Sequence, residues 1–144
     1  RAAACGPAFL CAAGDTTSRG WRRRSRCAEL HCGVEVYGWE WSYGRAQHGD
    51  SATGVFTCSP GLAEGQEPTN RAALGVTKWT PGKVLLLLQV METDWLASDY
   101  NALSHGCAHF CSDLCHALQV ADVPAWVFAA ARSAAISRAL ASSC

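Results

Sequence analysis

The chain has 144 residues, the length of one ordinary domain, and can bury a core without needing disulfides or a metal. A hydrophobic fraction of 49% and a charged fraction of 17% exclude a disordered chain. The net charge is zero but uneven: residues 1–28 hold six Arg and one Asp, the remainder six basic and eleven acidic residues. No basic stripe runs through the body, which argues against a nucleic-acid binder.

Nine cysteines is an odd number, so at least one thiol has no partner within the chain. Their spacing shows no framework of the kind that staples small secreted domains. The expected setting is a reducing compartment, cytoplasm or nucleus, with most cysteines packed as small hydrophobes. The apolar run of residues 84–91, VLLLLQVM, is too short to span a membrane.

Residues 1–28 show no period and read as a basic, flexible segment; residues 29–144 read as the folded domain. Gly6 and Pro7 interrupt the first apolar stretch, so targeting is not read from this end. LHCGVEVYG, residues 30–38, alternates with Val34 and Val36 on one face and reads as a strand. WEWSYG follows as a second strand with Trp39, Trp41 and Tyr43 on one face, the pair forming a hairpin that turns at Gly38. GVFTCSPG is a short strand stopped by Pro60 and Gly61, and RAALGVTKW is another. Periodicity leaves residues 84–95 ambiguous. The flank decides: Thr80 suits an N-cap and Pro81 the first helical position, so a helix is expected over 81–95. A second helix is expected from about Gly106 to Leu118, and a third, rich in alanine, after Pro124.

SHGCAHFCSDLCH, residues 104–116, spaces Cys107, Cys111 and Cys115 four apart, on one helical face. Successive thiols climb by about 6 Å, too far for all three to reach one ion, so no metal is expected. Stacked helical positions also bridge poorly as disulfides. A single nucleophile asks for less. Cys107 would sit in the first turn, where unpaired N–H groups and the helix dipole favour a thiolate and an oxyanion. Cys111 and Cys115 read as core packing. An imidazole partner is wanted; His31, His48, His105, His109 and His116 are the candidates. His31 opens the first strand, although an ordinary surface or core role for it is the more frequent outcome.

HCGVEVYGWEWSYG (31–44), GVFTCSPG (54–61), YNALSHGCAHF (100–110) and VPAWV (123–127) together, in this order, resemble the PPPDE domain, the permuted papain-fold peptidases that include the desumoylating isopeptidases. The resemblance covers about residues 30–136. It implies an α+β fold, a small antiparallel sheet or open barrel packed with helices, with the nucleophile at a helix N-terminus. It implies Cys107 as nucleophile and His31 as catalytic histidine, no cofactor, and the removal of SUMO or ubiquitin from lysine side chains. Partners would be SUMO- or ubiquitin-conjugated proteins, not nucleic acid, and a homodimer is compatible with it. Tyr37, Trp39 and Trp41 would wall a slot for the modifier's terminal glycines, unless they simply pack. The family typically carries Asn on both sides of the nucleophile, where this chain has Gly106 and Ala108. Two alternatives stand beside this reading: a cysteine-dependent thioesterase, for example a depalmitoylating one, and an inactive binding module of the same fold.

Overall fold

A computed structural model describes residues 5–13, 31–45, 52–60 and 70–142. Among the described residues five strands form one antiparallel, open sheet: β1 (Gly6–Ala13), β2 (His31–Val36), β3 (Trp39–Tyr43), β4 (Val55–Cys58) and β5 (Asn70–Thr77), in the order β4-β3-β2-β1-β5. Three helices follow: α1 (Pro81–Asp94), α2 (Cys107–Leu118) and α3 (Ala125–Ala141). The result is the α+β architecture that the resemblance implies.

The first hairpin turns through two residues rather than one. Tyr37 and Gly38 both take positive φ, 52° and 79°, the geometry that matches the twist of a two-residue hairpin. Tyr37 is bulky for that region and is held from outside. Its hydroxyl donates to the Trp79 carbonyl at 2.5 Å, and its ring fills the space a Cβ on Gly6 would occupy.

Thr80 caps α1, accepting from the Lys83 N–H at 3.4 Å, and Pro81 takes the first turn. In α2 the apolar residues recur at Cys107, Phe110, Cys111, Leu114, Cys115 and Leu118, a helical stripe, and all are buried. This stripe packs on the sheet face of Ala8, Leu10, Cys32, Val34 and Val36, all 1% exposed or less. The end of α2 is tied to β5: the Thr77 hydroxyl donates to the Leu118 carbonyl at 2.8 Å, and the Ala121 N–H donates to the Leu74 carbonyl at 2.8 Å.

The expected division at residue 28 fails at one place. Gly6–Ala13, assigned to a flexible segment, is β1, and it lies between β2 and β5. Its sequence, GPAFLCAA, lacks the β-branched residues that announce a strand. Long-range pairing supplies what propensity does not: Leu10 pairs with Val34 on one side and Ala72 on the other. A bulge beside Ala8, where Gly75 takes φ of +105°, adjusts the register. The basic run of residues 19–26 and most of the polar loops expected at 45–53 and 62–70 lie outside the described residues, and Asn70, expected in a loop, opens β5.

A strand in the middle of the sheet is not dispensable. Leu10→Ala is expected to destabilise the fold by about 2–5 kcal/mol. Deleting residues 1–13, which strips a partner from both β2 and β5, should abolish cooperative unfolding. Chemical denaturation checks both, and an unchanged midpoint in the truncated protein would show that β1 adds nothing to the fold.

Candidate active site

The site is built where the start of α2 meets the start of β2. A compact turn leads into α2. The Asn101 side chain accepts from the Leu103 N–H at 2.9 Å, and Asn101 and His105 exchange backbone hydrogen bonds at 3.0 and 2.8 Å. Gly106 then passes close to this turn: a Cβ on it would lie 3.1 Å from the Ala102 Cα. Glycine at the position before Cys107 therefore has a steric reason here. The His109 Nδ1 accepts from the Gly106 N–H at 3.1 Å and closes the first turn. Burial and the neighbouring His105 hold the His109 pKa below its ordinary value, keeping the ring neutral and able to accept.

Tyr43 anchors the approach. Its hydroxyl donates to the Leu96 carbonyl at 2.6 Å, and its ring meets Trp95, Tyr100, His105 and Phe110. His105 lies flat on Trp95, ring centroids 4.1 Å apart. These contacts give His105 and His109 structural work. His116 sits at the far end of α2, 3.3 Å from Asp122, and His48 lies outside the described residues.

Cys107 is the first residue of α2, as its spacing predicts, but it is only 4% exposed. The group placed against its thiol is Cys32, the residue that follows His31. Cys32 also touches Cys111, Sγ to Sγ 3.8 Å. The three thiols thus gather across the α2–β2 interface, sideways rather than along the helix, and Cys115 packs in the core beyond them. His31 begins β2, is buried, and stacks on Phe56 with ring centroids 5.6 Å apart. Alternation along a strand turns successive side chains to opposite faces. Cys32 takes the α2 face and His31 the face of Phe56.

The electrostatics correct one expectation. The Cys107 pKa is raised well above the ordinary thiol value of 9.0, first by its hydrogen bond with Cys32 and then by burial. The backbone N–H groups of Cys32 and Ala108 act on the same sulfur in the lowering direction. The favourable field at the helix start is real, but desolvation outweighs it. Cys111 is raised by burial, and Cys115 is pushed up to about 12 for the same reason.

None of Tyr37, Trp39 and Trp41, the expected walls of an aromatic slot, lines the cavity beside Cys107, and Tyr37 and Trp41 pack against the core. Tyr37 lies six residues along β2 from His31, about 20 Å at strand rise, and Trp39 is 55% exposed at the hairpin end. What faces Cys107 instead is a small cavity of about 10 Å³, walled by Tyr100, Ala108 and the α3 residues Ala131, Ala134, Ala135 and Arg138. Sequence reasoning missed both Cys32 and α3 as parts of the site. Their signals were present: Cys32 is adjacent to His31, and 131, 134, 135 and 138 share one helical face.

A protonated, covered thiol should react slowly. In the native protein, alkylation of Cys107 by iodoacetamide should keep rising through pH 9 without a plateau near neutrality, and Cys32→Ala should move its midpoint to lower pH. Peptide mapping by mass spectrometry reads both, and a native plateau below pH 7 would contradict the assignment. The raised thiols also fix a sign. Their contribution to stability is complete below the ordinary value of 9.0 and is lost as pH rises through the folded values. The melting temperature should therefore fall on the alkaline side of pH 9.

Residues 23–143 match the family described as the PPPDE putative peptidase domain. A relative from Caenorhabditis elegans, the desumoylating isopeptidase 1 homolog, is 31% identical over 102 residues, which cover 68% of this chain and 30% of that protein. The chain thus spans about a third of the length of the curated relative it matches. The helix that Cys107 begins and the strand that His31 opens lie inside the matched residues, and the chain belongs to the PPPDE peptidase family.

Proposed function

We propose that this chain is a thiol isopeptidase that releases a ubiquitin-like modifier from lysine side chains, with Cys107 as nucleophile and His31 as its base. The observation that carries the reading is Cys107 at the first position of α2, packed against the start of the strand that His31 opens. The C. elegans relative is described as a desumoylating isopeptidase homolog, which favours SUMO as the modifier over ubiquitin.

In this reading the resting thiol is neutral and the proton moves only when substrate is in place. The His31 ring takes the proton from the Cys107 sulfur, giving a thiolate and an imidazolium. The sulfur attacks the carbonyl of the modifier's last glycine, forming a tetrahedral oxyanion. N–H groups at the start of α2, that of Cys107 among them, are the available donors to that charge. Collapse breaks the C–N bond, and the imidazolium gives its proton to the leaving lysine amine. Water then attacks the thioester, His31 accepting its proton, and the modifier leaves with a free carboxylate as the thiol is restored.

Cys107→Ala and His31→Ala should each lower hydrolysis of a SUMO-conjugated substrate by at least about a thousandfold, with melting temperatures within a few degrees of the parent. Near-parental turnover in either variant would remove that residue from the mechanism. A parent protein with no turnover on SUMO or ubiquitin conjugates would favour the inactive binding module.

A further inference from the structure

One side of α1 is taken up by the core and the other is not. Val84, Leu88 and Met91 are buried. Leu85, Leu86 and Val90 are 52, 64 and 62% exposed, and none of them lines the cavity beside Cys107. Lys83, Leu86, Val90 and Asp94 follow at steps of three, four and four residues and form one outward stripe along the helix. The stripe is about 16 Å long at helical rise. It is apolar in its middle, with a cation at its start and an anion at its end. Among the described residues neither charge takes part in an ion pair: the Lys83 Nζ lies 5.1 Å from the Trp79 ring centroid, and the Asp94 Oδ1 accepts from the Thr93 hydroxyl at 3.5 Å. Both charges also stand at the unfavourable ends of their own helix. A helix start favours anions and a helix end cations, yet α1 has no acidic residue in its first turn and no basic one in its last.

We propose that this stripe docks a second copy of the chain, the two α1 helices lying antiparallel. A second copy is selected over other apolar partners because the stripe complements itself when reversed. A two-fold axis near Leu88 lays Leu86 of each copy beside Val90 of the other. The same reversal brings Lys83 of each copy beside Asp94 of the other. Each anion then stands at the other copy's helix start and each cation at its helix end, which supplies the charges that α1 lacks. An anionic lipid surface would suit Lys83 but repel Asp94. The contact is small. It buries less than the roughly 800 Å² per partner of a stable interface, so association is weak and reversible and sets in at protein concentrations on the order of 0.1 mM. The inference rests on α1 alone and is independent of the isopeptidase reading.

Sedimentation equilibrium of the full chain under reducing conditions, from about 10 to 500 μM, tests it. The mean mass of the parent should rise from monomer toward dimer across this range. Leu86→Glu should stay monomeric throughout while its melting temperature holds. Lys83→Glu and Asp94→Lys each set like charges together twice across the two-fold axis, and each should weaken self-association by about tenfold. An equimolar mixture of those two variants restores both opposite-charge pairs and should associate as strongly as the parent. A parent that stays monomeric at the highest concentration overturns the proposal. So does a monomer that instead sediments with phosphatidylcholine vesicles and loses them in Leu86→Glu, because the face would then be a lipid contact. Association unchanged in Leu86→Glu overturns the choice of surface, and a mixture no stronger than its single variants overturns the antiparallel pairing.

Discussion

The packing of α2 on β2 is the interaction on which the rest depends. One helical stripe, from Cys107 to Leu118, meets one pleated face, from Cys32 to Val36, and neither has another place to bury its apolar atoms. Small side chains make the fit possible. Cysteine at 32, 107, 111 and 115 lets helix and strand approach closely, while Phe110 and Leu114 fill the remaining volume. The same contact decides where the reactive sulfur sits. A helix that must lie flat on the sheet brings its first residue down with it, so the Cys107 thiol enters the core's dielectric along with the residues that build the core.

Helices and hairpins were legible because their signals are local. Thr80-Pro81 declared α1, the stripe of α2 declared itself by spacing, and the strands flanking Tyr37-Gly38 alternate. β1 was not legible because its reasons are distant. Ala8 and Leu10 carry little strand propensity, and their place is set by β2 and β5, which lie far along the chain. The site divides in the same way. Cys107 and His31 were readable as residue types in a family pattern, whereas Cys32 becomes a neighbour of Cys107 only through tertiary packing. The direction of the Cys107 pKa followed from burial, which no helix-dipole argument made on sequence alone can weigh.

His31 shows the other side of that limit. A position at a strand start is legible, but the face it takes is decided by the residue after it. Cys32 has the apolar side chain and is drawn under α2, so the pleat turns the imidazole toward Phe56. Cys107 at the start of α2 and His31 at the start of β2 thus lie at the ends of two elements packed together, with Phe56 stacked on the imidazole.

Burial and reactivity then pull against each other in a way the fold can resolve. A thiol held neutral under Ala131, Ala134 and Ala135 is protected from adventitious oxidants and alkylators, but it is also a poor nucleophile. Water entering beside the sulfur would restore part of its solvation and lower its pKa, and the Ala108 N–H already points at the charge that would form. Moving the distal half of α3 exposes the sulfur without touching the α2–β2 contact. The two helices differ in their hold: α2 is fixed by the core and carries Cys107, whereas α3 is buried near its start at Val127 and exposes apolar residues toward its end, so the cover beside the sulfur belongs to the less deeply packed helix.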